Sequence, residues 1–591
     1  MCGFALELRP GAAPDRAALQ RMHRALAHRG PDGDGTWVNR HVGVVHRRLA
    51  IIDLSELGAQ PMRDEELGLV VVFNGCIYNH HELRAGLERL GHAFRSTSDT
   101  EVIMRGWREW GEGVLDRLMG MFAFALVEEH TGRTVLVRDR LGIKPLYLAE
   151  LPGGGLRAAS SVQALLAAGE LDTTIDPVAL HHYLSWHSVV PAPRTILRGV
   201  RKLPPATVLT IEADGRRSER VFWNPAHTRA ESRSEEEWAE ALLDALRVAV
   251  RRRMVADVPV GVLLSGGIDS SLIVALLAEQ GQRGLATFSI GFPDVGDREG
   301  DEFAFSDLVA REFGTDHRQI RVEVDELLGA LPKAIGAMSE PMVSHDCVAF
   351  WLLSENVKRD RSVVQSGQGA DEILGGYSWY PPLLDAPGSG LETYAAEFFD
   401  RDHAGVRALV NPGVVGDEDV SLAFAQEWFS RAGADTPVDR ALRLDARIML
   451  VDDPVKRVDN MTMAHALEAR VPFLDHELVE LAAACPPELK LAGGGKGILK
   501  RASRGVVPDA VIDREKGYFP VPALTDLEEP VLGMVRDALL SPAARDRALF
   551  RPDVVERMLA DPNAHRTNLD GSALWQLGLL ELWLQSVVDH A

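Results

Sequence analysis

The chain has 591 residues, of which 46% are hydrophobic and 25% are charged, and its formal net charge is −22. This length exceeds what a single hydrophobic core supports, so we expect at least two domains. The negative charge argues against a nucleic-acid surface or an anionic membrane surface, which leaves small-molecule substrates as the expected partners. No apolar run approaches the roughly 18 residues that a membrane-spanning helix requires.

Four cysteines stand far apart in the chain, at Cys2, Cys76, Cys347 and Cys485. They form no C-x-x-C pair, so the sequence favours neither a zinc site nor a disulfide framework. The N-terminus lacks the basic and apolar regions of a secretory signal. We therefore expect a soluble, cytoplasmic protein, and we leave open whether it forms a homodimer.

The first part of the chain alternates short apolar runs with turns, which is typical of an α+β domain with mainly antiparallel strands. The runs FAFALVEE and TVLVRD around HTGR predict a β-hairpin, whereas HELRAGLERLG and DTEVIMRGWREWG predict amphipathic helices. Proline, charged and turn residues concentrate between positions 200 and 237. We therefore place the end of the first domain, residues 2–215, within this stretch.

The second domain, residues 235–591, begins with alternating strands and helices. Apolar strands such as VPVGVLL and LATFSIGF are each followed by a helical run, and this alternation predicts a parallel sheet with helices on both faces. Ligands of such α/β sheets bind at the carboxyl ends of the strands. Beyond about Asp385 the pattern predicts a predominantly helical C-terminal part.

Cys2 is a candidate nucleophile, because removal of Met1 would leave its α-amino group beside its own thiol. An α-amine titrates at roughly 7.7–8.0 and can accept the thiol proton, as in N-terminal nucleophile enzymes. HRGPDGDG, HRRLAIIDLSELGAQPM, FNGCIYN and SDTEVI follow downstream in that order. This ordered set resembles the glutaminase domain of class II glutamine amidotransferases, which has the N-terminal nucleophile (Ntn) hydrolase fold.

The resemblance implies a role for each motif of the glutaminase. Cys2 would attack the side-chain amide of glutamine and release ammonia through a glutamyl thioester. Asn74 and Gly75 would donate hydrogen bonds to the oxyanion. Arg48 would bind the α-carboxylate of glutamine, and Asp99 its α-ammonium group.

Cys76, inside the motif FNGCIYN, is a second thiol near the same site. Asparagine synthetases commonly carry glutamate at this position, so by resemblance Cys76 lines the glutamine pocket and is not the nucleophile. A carboxylate contact is thereby lost. Either Asp99 holds the substrate ammonium group alone, or another group replaces the missing carboxylate.

The segment LLSGGIDSS follows an apolar strand and opens a helix. Small residues at such a turn let backbone N–H groups and the helix N-terminus approach an anion closely. S-G-G-x-D-S resembles the pyrophosphate loop of ATP pyrophosphatases, which cleave ATP to AMP and pyrophosphate. The ATP-binding residues implied at this loop and at later strand ends are Leu264, Ser265, Gly266, Gly267, Asp269, Ser270, Ile290, Ser366 and Gly367.

A second loop, SGQGADEILGGY, follows the strand RSVVQ. Asp269 and Asp371 are then expected at neighbouring strand ends, where two carboxylates would bind a Mg²⁺ ion that bridges the ATP phosphates. With DNMTMAHALEARVPFLDHEL and GGKGILKR, these loops resemble the asparagine synthetase family, and Lys496 is implied as the cation that stabilises charge at the α-phosphate. The resemblance covers essentially the whole chain and implies an internal ammonia tunnel between the two domains.

Two residues differ from the pattern of the asparagine synthetase family, and both differences suggest a different acceptor carboxylate. His345, in EPMVSHDCVAFWLL, stands where the family commonly carries arginine, and Gln368 stands where its second loop usually carries glutamate. The segments DPVALHHYLSWHSVVPAPRTI, REKGYFPVPAL and DPNAHRT with GSALWQLGLLELWLQ resemble a narrower branch, the N-acetylglutaminylglutamine amidotransferases. These enzymes are associated with an amidated, N-acetylated dipeptide that serves as an osmoprotectant.

Three alternatives stay open beside this dipeptide reading. The chain could be an ordinary asparagine synthetase that acts on L-aspartate, or it could amidate another natural-product or envelope carboxylate. A protein of another class, a non-catalytic sensor of glutamine or nucleotide, is the third. Cys2, Asn74, Asp269, Asp371 and Lys496 all count against the sensor, because the implied catalytic groups are intact.

Overall fold

The computed structural model describes residues 2–229, 232–295, 299–515, 517 and 521–590. Part of the segment REKGYFPVPAL, at positions 516 and 518–520, lies outside the described residues. Within the described part of the chain, no helix is both long and apolar enough to span a membrane.

Two six-stranded sheets form the centre of the first domain, and every strand pairing in them is antiparallel. Their strand orders are β10-β8-β9-β1-β3-β2 and β12-β11-β7-β6-β5-β4. The strands are β1 Gly3–Leu8, β2 Gly33–Val38, β3 Val42–Arg48, β4 Met62–Asp64, β5 Leu69–Ile77, β6 Gly120–Glu128, β7 Thr134–Arg138, β8 Tyr147–Leu151, β9 Gly155–Ala159, β10 Arg201–Lys202, β11 Thr207–Ile211 and β12 Arg217–Val221.

The two sheets pack face to face, with helices on their outer faces. Apolar side chains such as Phe4 and Leu6 of one sheet meet Val70 and Val72 of the other in a buried cluster, because alternate residues of each strand point inward. The helices are α1 Arg16–Ala25, α2 His80–Arg89, α3 Asp99–Trp110, α4 Val162–Ala168 and α5 Pro177–Ser185. The predicted α+β class, the β6–β7 hairpin and the helices α2 and α3 are confirmed.

The last hairpin of the first domain, β11–β12, completes the second sheet. The sheet therefore continues past position 215, where the sequence analysis ended this domain. The chain then reaches helix α6, which begins at Glu235 behind a capping box formed by Ser234 and Glu237.

A five-stranded parallel sheet, in the order β15-β14-β13-β16-β17, forms the centre of the second domain. The strands are β13 Val260–Leu263, β14 Ala286–Gly291, β15 Asp316–Arg321, β16 Val363–Gln365 and β17 Glu468–Arg470. The predicted parallel sheet is confirmed. Strand β17 was not predicted, because it lies within the part of the chain that we expected to be helical.

Helices surround this sheet and form the C-terminal part, as predicted. They are α6 Glu235–Arg252, α7 Ile268–Glu279, α8 Phe303–Phe313, α9 Val324–Ala337, α10 Asp346–Val357, α11 Ala370–Leu374, α12 Leu391–Phe398, α13 His403–Leu409, α14 Val420–Ser430, α15 Pro437–Arg447, α16 Lys456–Met463, α17 His476–Ala484, α18 Pro487–Leu491, α19 Gly497–Ser503, α20 Asp509–Ile512, α21 Pro522–Thr525, α22 Val531–Leu539, α23 Pro542–Arg547, α24 Pro552–Ala560 and α25 Ala573–Trp583.

Buried ion pairs join the two domains. Asp459 of helix α16 accepts hydrogen bonds from Arg29 at 3.0 and 3.3 Å and from the Lys144 ammonium at 3.4 Å. Lys202 lies 2.9 Å from Glu340 and 2.6 Å from Asp452. Desolvated charges are costly unless they are paired, so these contacts fix how one domain sits on the other.

Candidate active sites

Cys2 lies immediately before β1, whose pairing with β3 brings it close to the end of that strand at Arg48. It is 7% exposed. Its backbone N–H donates to Oδ1 of Asn74 at 3.2 Å, and its Sγ lies 4.0 Å from the carbonyl oxygen of Leu49. Burial raises the pKa of the Cys2 thiol. A neighbouring base is therefore needed to take the thiol proton, and the α-amine freed by removal of Met1 would be such a base.

Asn74 and Gly75, on strand β5, offer donors beside this thiol. Asn74 is fully buried, and its Nδ2 has no hydrogen-bond partner among the described residues. At Gly75 a Cβ atom would lie 2.1 Å from the carbonyl oxygen of Met121, so no side chain fits there. A buried amide donor without a partner is unfavourable unless a ligand satisfies it. The arrangement suits an oxyanion that forms beside the Cys2 sulfur.

Arg48 and Asp99 belong to the same pocket as Cys2, Gly75 and Cys76. The Arg48 guanidinium donates to backbone carbonyl oxygens in the loop after β3, which fixes its position. Asp99 begins helix α3, and its carboxylate accepts the Ile77 N–H at 2.9 Å. Burial raises the pKa of Asp99 to about 6. The pocket thus holds a cation and a carboxylate, as a zwitterionic amino acid requires.

The Cys76 side chain is 1% exposed and lies in an apolar cluster with Tyr78 and Met121. Burial raises the pKa of its thiol, which disfavours a thiolate. Its backbone belongs to strand β5, paired with Met121 of β6. This environment suits a lining residue, and the choice of Cys2 as nucleophile stays a prediction.

Two residues that line the pocket around Cys2 were not predicted from the sequence. Glu468 and Arg470, from strand β17 of the second domain, line the same pocket as Cys2 and Asp99. Arg470 Nε donates to Glu468 Oε1 at 2.6 Å. Both belong to the motif EAR within DNMTMAHALEARVPFLDHEL, whose residues have no individual roles in the sequence-based prediction.

The predicted pyrophosphate loop connects β13 to α7. Gly266 has a φ of +80°, and a Cβ atom on it would lie 2.7 Å from the Ser306 backbone nitrogen, so glycine is needed here. The Ser265 and Ser270 hydroxyl oxygens lie 3.1 Å apart, and the Ser265 N–H donates to Ser270 at 3.2 Å. Gly267 caps the 12-residue helix α7. The loop therefore places small residues and a helix N-terminus where an anion would bind.

Lys496 joins the pyrophosphate loop to the second predicted loop. Its ammonium nitrogen lies 2.7 Å from Asp269 Oδ2 and 2.9 Å from Asp371 Oδ1. Burial alone would lower the pKa of Lys496, but the two carboxylates outweigh it and raise that pKa. A Cβ atom at Gly376 would lie 1.9 Å from Asp371 Oδ1 and 2.4 Å from Lys496 Cε, so glycine permits this approach. The three charged residues predicted for the synthetase meet at one point.

The remaining predicted nucleotide residues lie at the carboxyl edge of the parallel sheet. Leu264 follows β13 and donates its N–H to Phe288 of β14 at 2.8 Å, and Ile290 lies farther along β14. Ser366 follows β16 and donates its N–H to the Arg470 carbonyl oxygen at 2.8 Å. Gly367 packs so closely that a Cβ atom there would lie 2.9 Å from Asp269 Cβ.

Asp269 and Asp371 also have the chemistry of a magnesium site. Magnesium is usually bound by one or two carboxylates together with the substrate phosphates. Both carboxylates contact the same ammonium group, so they are close enough to share a cation. The donor set therefore fits Mg²⁺, whose phosphate ligands would come from ATP.

His345 and Gln368, the predicted acceptor residues, are both half-buried. His345 precedes α10, and its ring packs edge-on against Trp575, with centroids 5.7 Å apart. Burial, with His187 and Arg566 nearby, lowers the pKa of His345 to about 4, so the ring is neutral at pH 7. Gln368 lies on the loop between β16 and α11.

Arg457 is a cation near His345 that the sequence analysis missed. It contacts the Ser344 hydroxyl and lies 3.3 Å from Asp346 and 3.6 Å from Asp453. Both carboxylates therefore already pair with this guanidinium, which is 9% exposed.

An apolar cluster lies between the two sites. It contains Met121 and Ile143 of the first domain and Leu264 and Val471 of the second. The same cluster contains Cys76, which lines the pocket around Cys2. Apolar side chains thus extend from one site toward the other.

Two family models match different parts of the chain. The family model "Glutamine amidotransferase domain" matches residues 1–223, and the model "Asparagine synthase" matches residues 241–585. Asparagine synthetase (glutamine-hydrolysing) 1 of Bacillus subtilis strain 168 is 31% identical over 620 residues, covering 99% of this chain and 96% of the relative.

Two further relatives, a second asparagine synthetase and an amidase, are similar over most of their length. Asparagine synthetase (glutamine-hydrolysing) 3 of the same strain is 30% identical, covering 88% of this chain and 87% of the relative. Amidase chry2 of Gibberella zeae is 29% identical, covering 84% of each. The first domain is an Ntn-type glutaminase and the second a parallel-sheet synthetase. The chain belongs to the asparagine synthase family of glutamine-hydrolysing, ATP-dependent ligases.

Proposed function

We propose that this amidotransferase acts on the carboxylate of an N-acetylated dipeptide of the glutaminylglutamate type and thereby makes an osmoprotectant. Glutamine supplies the ammonia, ATP activates the acceptor, and Mg²⁺ assists ATP binding. We also propose that the protein acts in the cytoplasm, as expected from its cysteine usage. Its four cysteines are free and buried.

One observation carries the choice of acceptor: three distant chain segments meet at His345. His187 comes from the segment DPVALHHYLSWHSVVPAPRTI, and its charge lowers the pKa of His345. Trp575 comes from the C-terminal segment, packs on the His345 ring and donates its indole N–H to the Val343 carbonyl oxygen at 2.9 Å. Both segments resemble the N-acetylglutaminylglutamine branch. Their meeting at the acceptor segment supports an acceptor site of that branch.

Two uncharged side chains, His345 and Gln368, also favour an N-acylated acceptor, because Asp346 and Arg457, the charged groups next to His345, already pair with each other. Free aspartate carries an α-ammonium and an α-carboxylate group, whereas an N-acetylated dipeptide lacks the ammonium charge. His345 is neutral at pH 7 and Gln368 is uncharged. Burying an unpaired charge is costly, so uncharged recognition groups suit the substrate with fewer charges.

In the proposed glutaminase reaction, the Cys2 sulfur attacks the amide carbon of glutamine and its proton moves to the α-amine of Cys2. Asn74 Nδ2 and the Gly75 N–H stabilise the oxyanion. Collapse of the tetrahedral intermediate transfers that proton to the leaving nitrogen, and ammonia departs from the thioester. Water then hydrolyses the thioester to glutamate.

In the proposed synthetase reaction, an oxygen of the acceptor carboxylate attacks the α-phosphorus of ATP and pyrophosphate leaves. The loop at Ser265 and Gly267 holds the leaving pyrophosphate, and Lys496 stabilises charge at the α-phosphate. A Mg²⁺ ion at Asp269 and Asp371 would neutralise phosphate charge. Ammonia, reaching the adenylate along the apolar cluster, attacks the acyl carbon and displaces AMP.

The test compares two acceptors in the same assay. Purified protein with glutamine, ATP and Mg²⁺ receives either N-acetylglutaminylglutamate or L-aspartate, and AMP formation and product mass are measured. We expect AMP and an amidated product with the dipeptide only. Cys2→Ala is the control, because it should abolish amidation with glutamine but retain amidation with ammonium chloride. Conversion of aspartate to asparagine at a higher kcat/KM than that for the dipeptide would refute the choice of acceptor.

The second candidate is an ordinary asparagine synthetase, favoured by the full-length similarity to the two Bacillus subtilis enzymes of that name. In that case Arg457 would have to bind an aspartate carboxylate in addition to its pairs with Asp346 and Asp453. Arg457→Lys would then impair amidation of aspartate, and the dipeptide would be inert.

A further inference from the structure

Glu468 and Arg470 bring the second domain into the glutamine pocket. Strand β17 pairs in parallel with β16, and Glu468 and Arg470 are two residues apart on it. Side chains two residues apart in a strand share a face. Glu468 is 1% exposed and Arg470 is fully buried, and both line the pocket that contains Cys2 and Asp99.

Arg470 holds the Glu468 carboxylate in one orientation. Its Nη1 donates to the carbonyl oxygens of Arg253 and Val255 at 2.8 and 2.7 Å, and its Nε donates to Glu468 Oε1 at 2.6 Å. The guanidinium is therefore fixed by the backbone of the second domain. A charge-assisted hydrogen bond of this length restrains the carboxylate strongly.

The Glu468 carboxylate lines the same pocket as Asp99 and Cys76. In addition to burial, the charge of Glu468 raises the pKa of Asp99 and of the Cys76 thiol, so these groups are close enough to interact electrostatically. Burial alone would raise the pKa of Glu468 itself, but the positive charges of the N-terminal amine and of Arg470 outweigh it and lower that pKa to about 2, so the carboxylate is ionised and can attract a cation. Arg48 lines the same pocket and is available for a carboxylate ligand. The pocket therefore provides complementary charges for both ends of a zwitterion.

We propose that Glu468 is a specificity-determining residue of the glutaminase, which binds the α-ammonium group of glutamine together with Asp99. Arg470 is the positioning residue that holds Glu468. This inference rests on the proposed glutaminase function and adds that the synthetase domain completes the glutamine pocket. A Cys at position 76 is then compatible with tight glutamine binding, because the second carboxylate comes from the other domain.

The test uses glutamine and glutaramate, the amide that lacks the α-amino group. In Glu468→Gln, we expect kcat/KM for glutamine hydrolysis to fall about ten- to hundredfold, as for loss of a hydrogen bond to a charged group, mainly through KM. Hydrolysis of glutaramate should change less than about threefold, because this substrate has no group for Glu468 to bind. Asp99→Asn is the matched variant and should give the same selective loss.

A rescue variant separates recognition from folding. Cys76→Glu combined with Glu468→Gln returns a carboxylate to a position beside Arg470, whose charge acts on Cys76, and should restore part of the preference for glutamine. If Glu468→Gln fails to fold, as judged by ammonia-dependent amidation, Glu468→Asp retains the charge next to Arg470 but withdraws the carboxylate by one methylene, so it should show the same selective loss to a smaller extent.

The outcomes separate this inference from the proposed function. An equal loss of activity on glutamine and glutaramate would overturn the inference and assign Glu468 to the α-amine of Cys2 or to the domain contact. If the parental protein hydrolyses neither amide, the proposed glutaminase function fails, and the inference fails with it.

Discussion

Removing the side-chain donor of Asn74 should slow glutamine hydrolysis and leave the synthetase intact. Asn74 Nδ2 is buried without a partner among the described residues, so in the resting enzyme it donates to none of them. The hydrogen bond from Asn74 Nδ2 therefore forms, and stabilises the reaction, only when the oxyanion is present. Loss of one oxyanion donor costs about 2.7–4 kcal/mol, or a factor of about 10²–10³ in kcat.

The choice of variant follows from the second contact of this side chain. Asn74 Oδ1 accepts the Cys2 N–H at 3.2 Å, so Asn74→Ala would remove both the oxyanion donor and the contact that positions Cys2. Asn74→Asp retains an acceptor for Cys2, removes the donor and puts a carboxylate oxygen in its place, whose negative charge also opposes the oxyanion. We therefore expect both variants to lose kcat, with KM for glutamine largely unchanged because Arg48 and Asp99 are untouched.

The assay measures glutamate release from glutamine and, separately, AMP formation with ammonium chloride as nitrogen source. Glutamate release should fall about 10²–10³-fold, whereas ammonia-dependent AMP formation should stay within about twofold because its groups lie in the other domain. Glutamate release at the parental rate by Asn74→Asp would refute the oxyanion assignment. An equal loss of both activities would show that the substitution disturbs the fold.

Two further predictions concern charged groups of the two sites. Lys496→Met should lower acceptor-dependent AMP formation about 100-fold or more, because the α-phosphate loses the cation proposed to stabilise its charge, while glutamate release persists. Unimpaired AMP formation would contradict the role of Lys496. The pKa of Asp99 is raised to about 6, so its carboxylate should become protonated and lose its attraction for the glutamine ammonium group as pH falls below that value. The acidic side of the pH profile of kcat/KM for glutamine, which protonation of the Cys2 α-amine begins at higher pH, should then become steeper below about pH 6. This steepening should be absent in Asp99→Asn.

The sequence by itself determined the division into two domains and the positions of both reaction loops. The spacing of hydrophobic residues along the chain indicated the β6–β7 hairpin and the parallel strands, because this spacing reflects which side chains each strand or helix buries. The motifs that contain Cys2, Asn74 and Asp269 are contiguous, and their local backbone geometry depends on neighbouring glycines and helix caps. Such features are readable in one stretch of chain. In the structure Asn74 accepts the Cys2 N–H and Asp269 pairs with Lys496.

Tertiary structure alone decided which distant groups share a site. Strand β17 has three residues, too few for a periodic signal, and it is a strand because β16 supplies its hydrogen-bond partners. That pairing brings Glu468 and Arg470 into a pocket built mainly by the first domain. The pairing of Asp459 with Arg29 and Lys144 has the same origin, since buried charges find partners through chain packing and not through sequence neighbours.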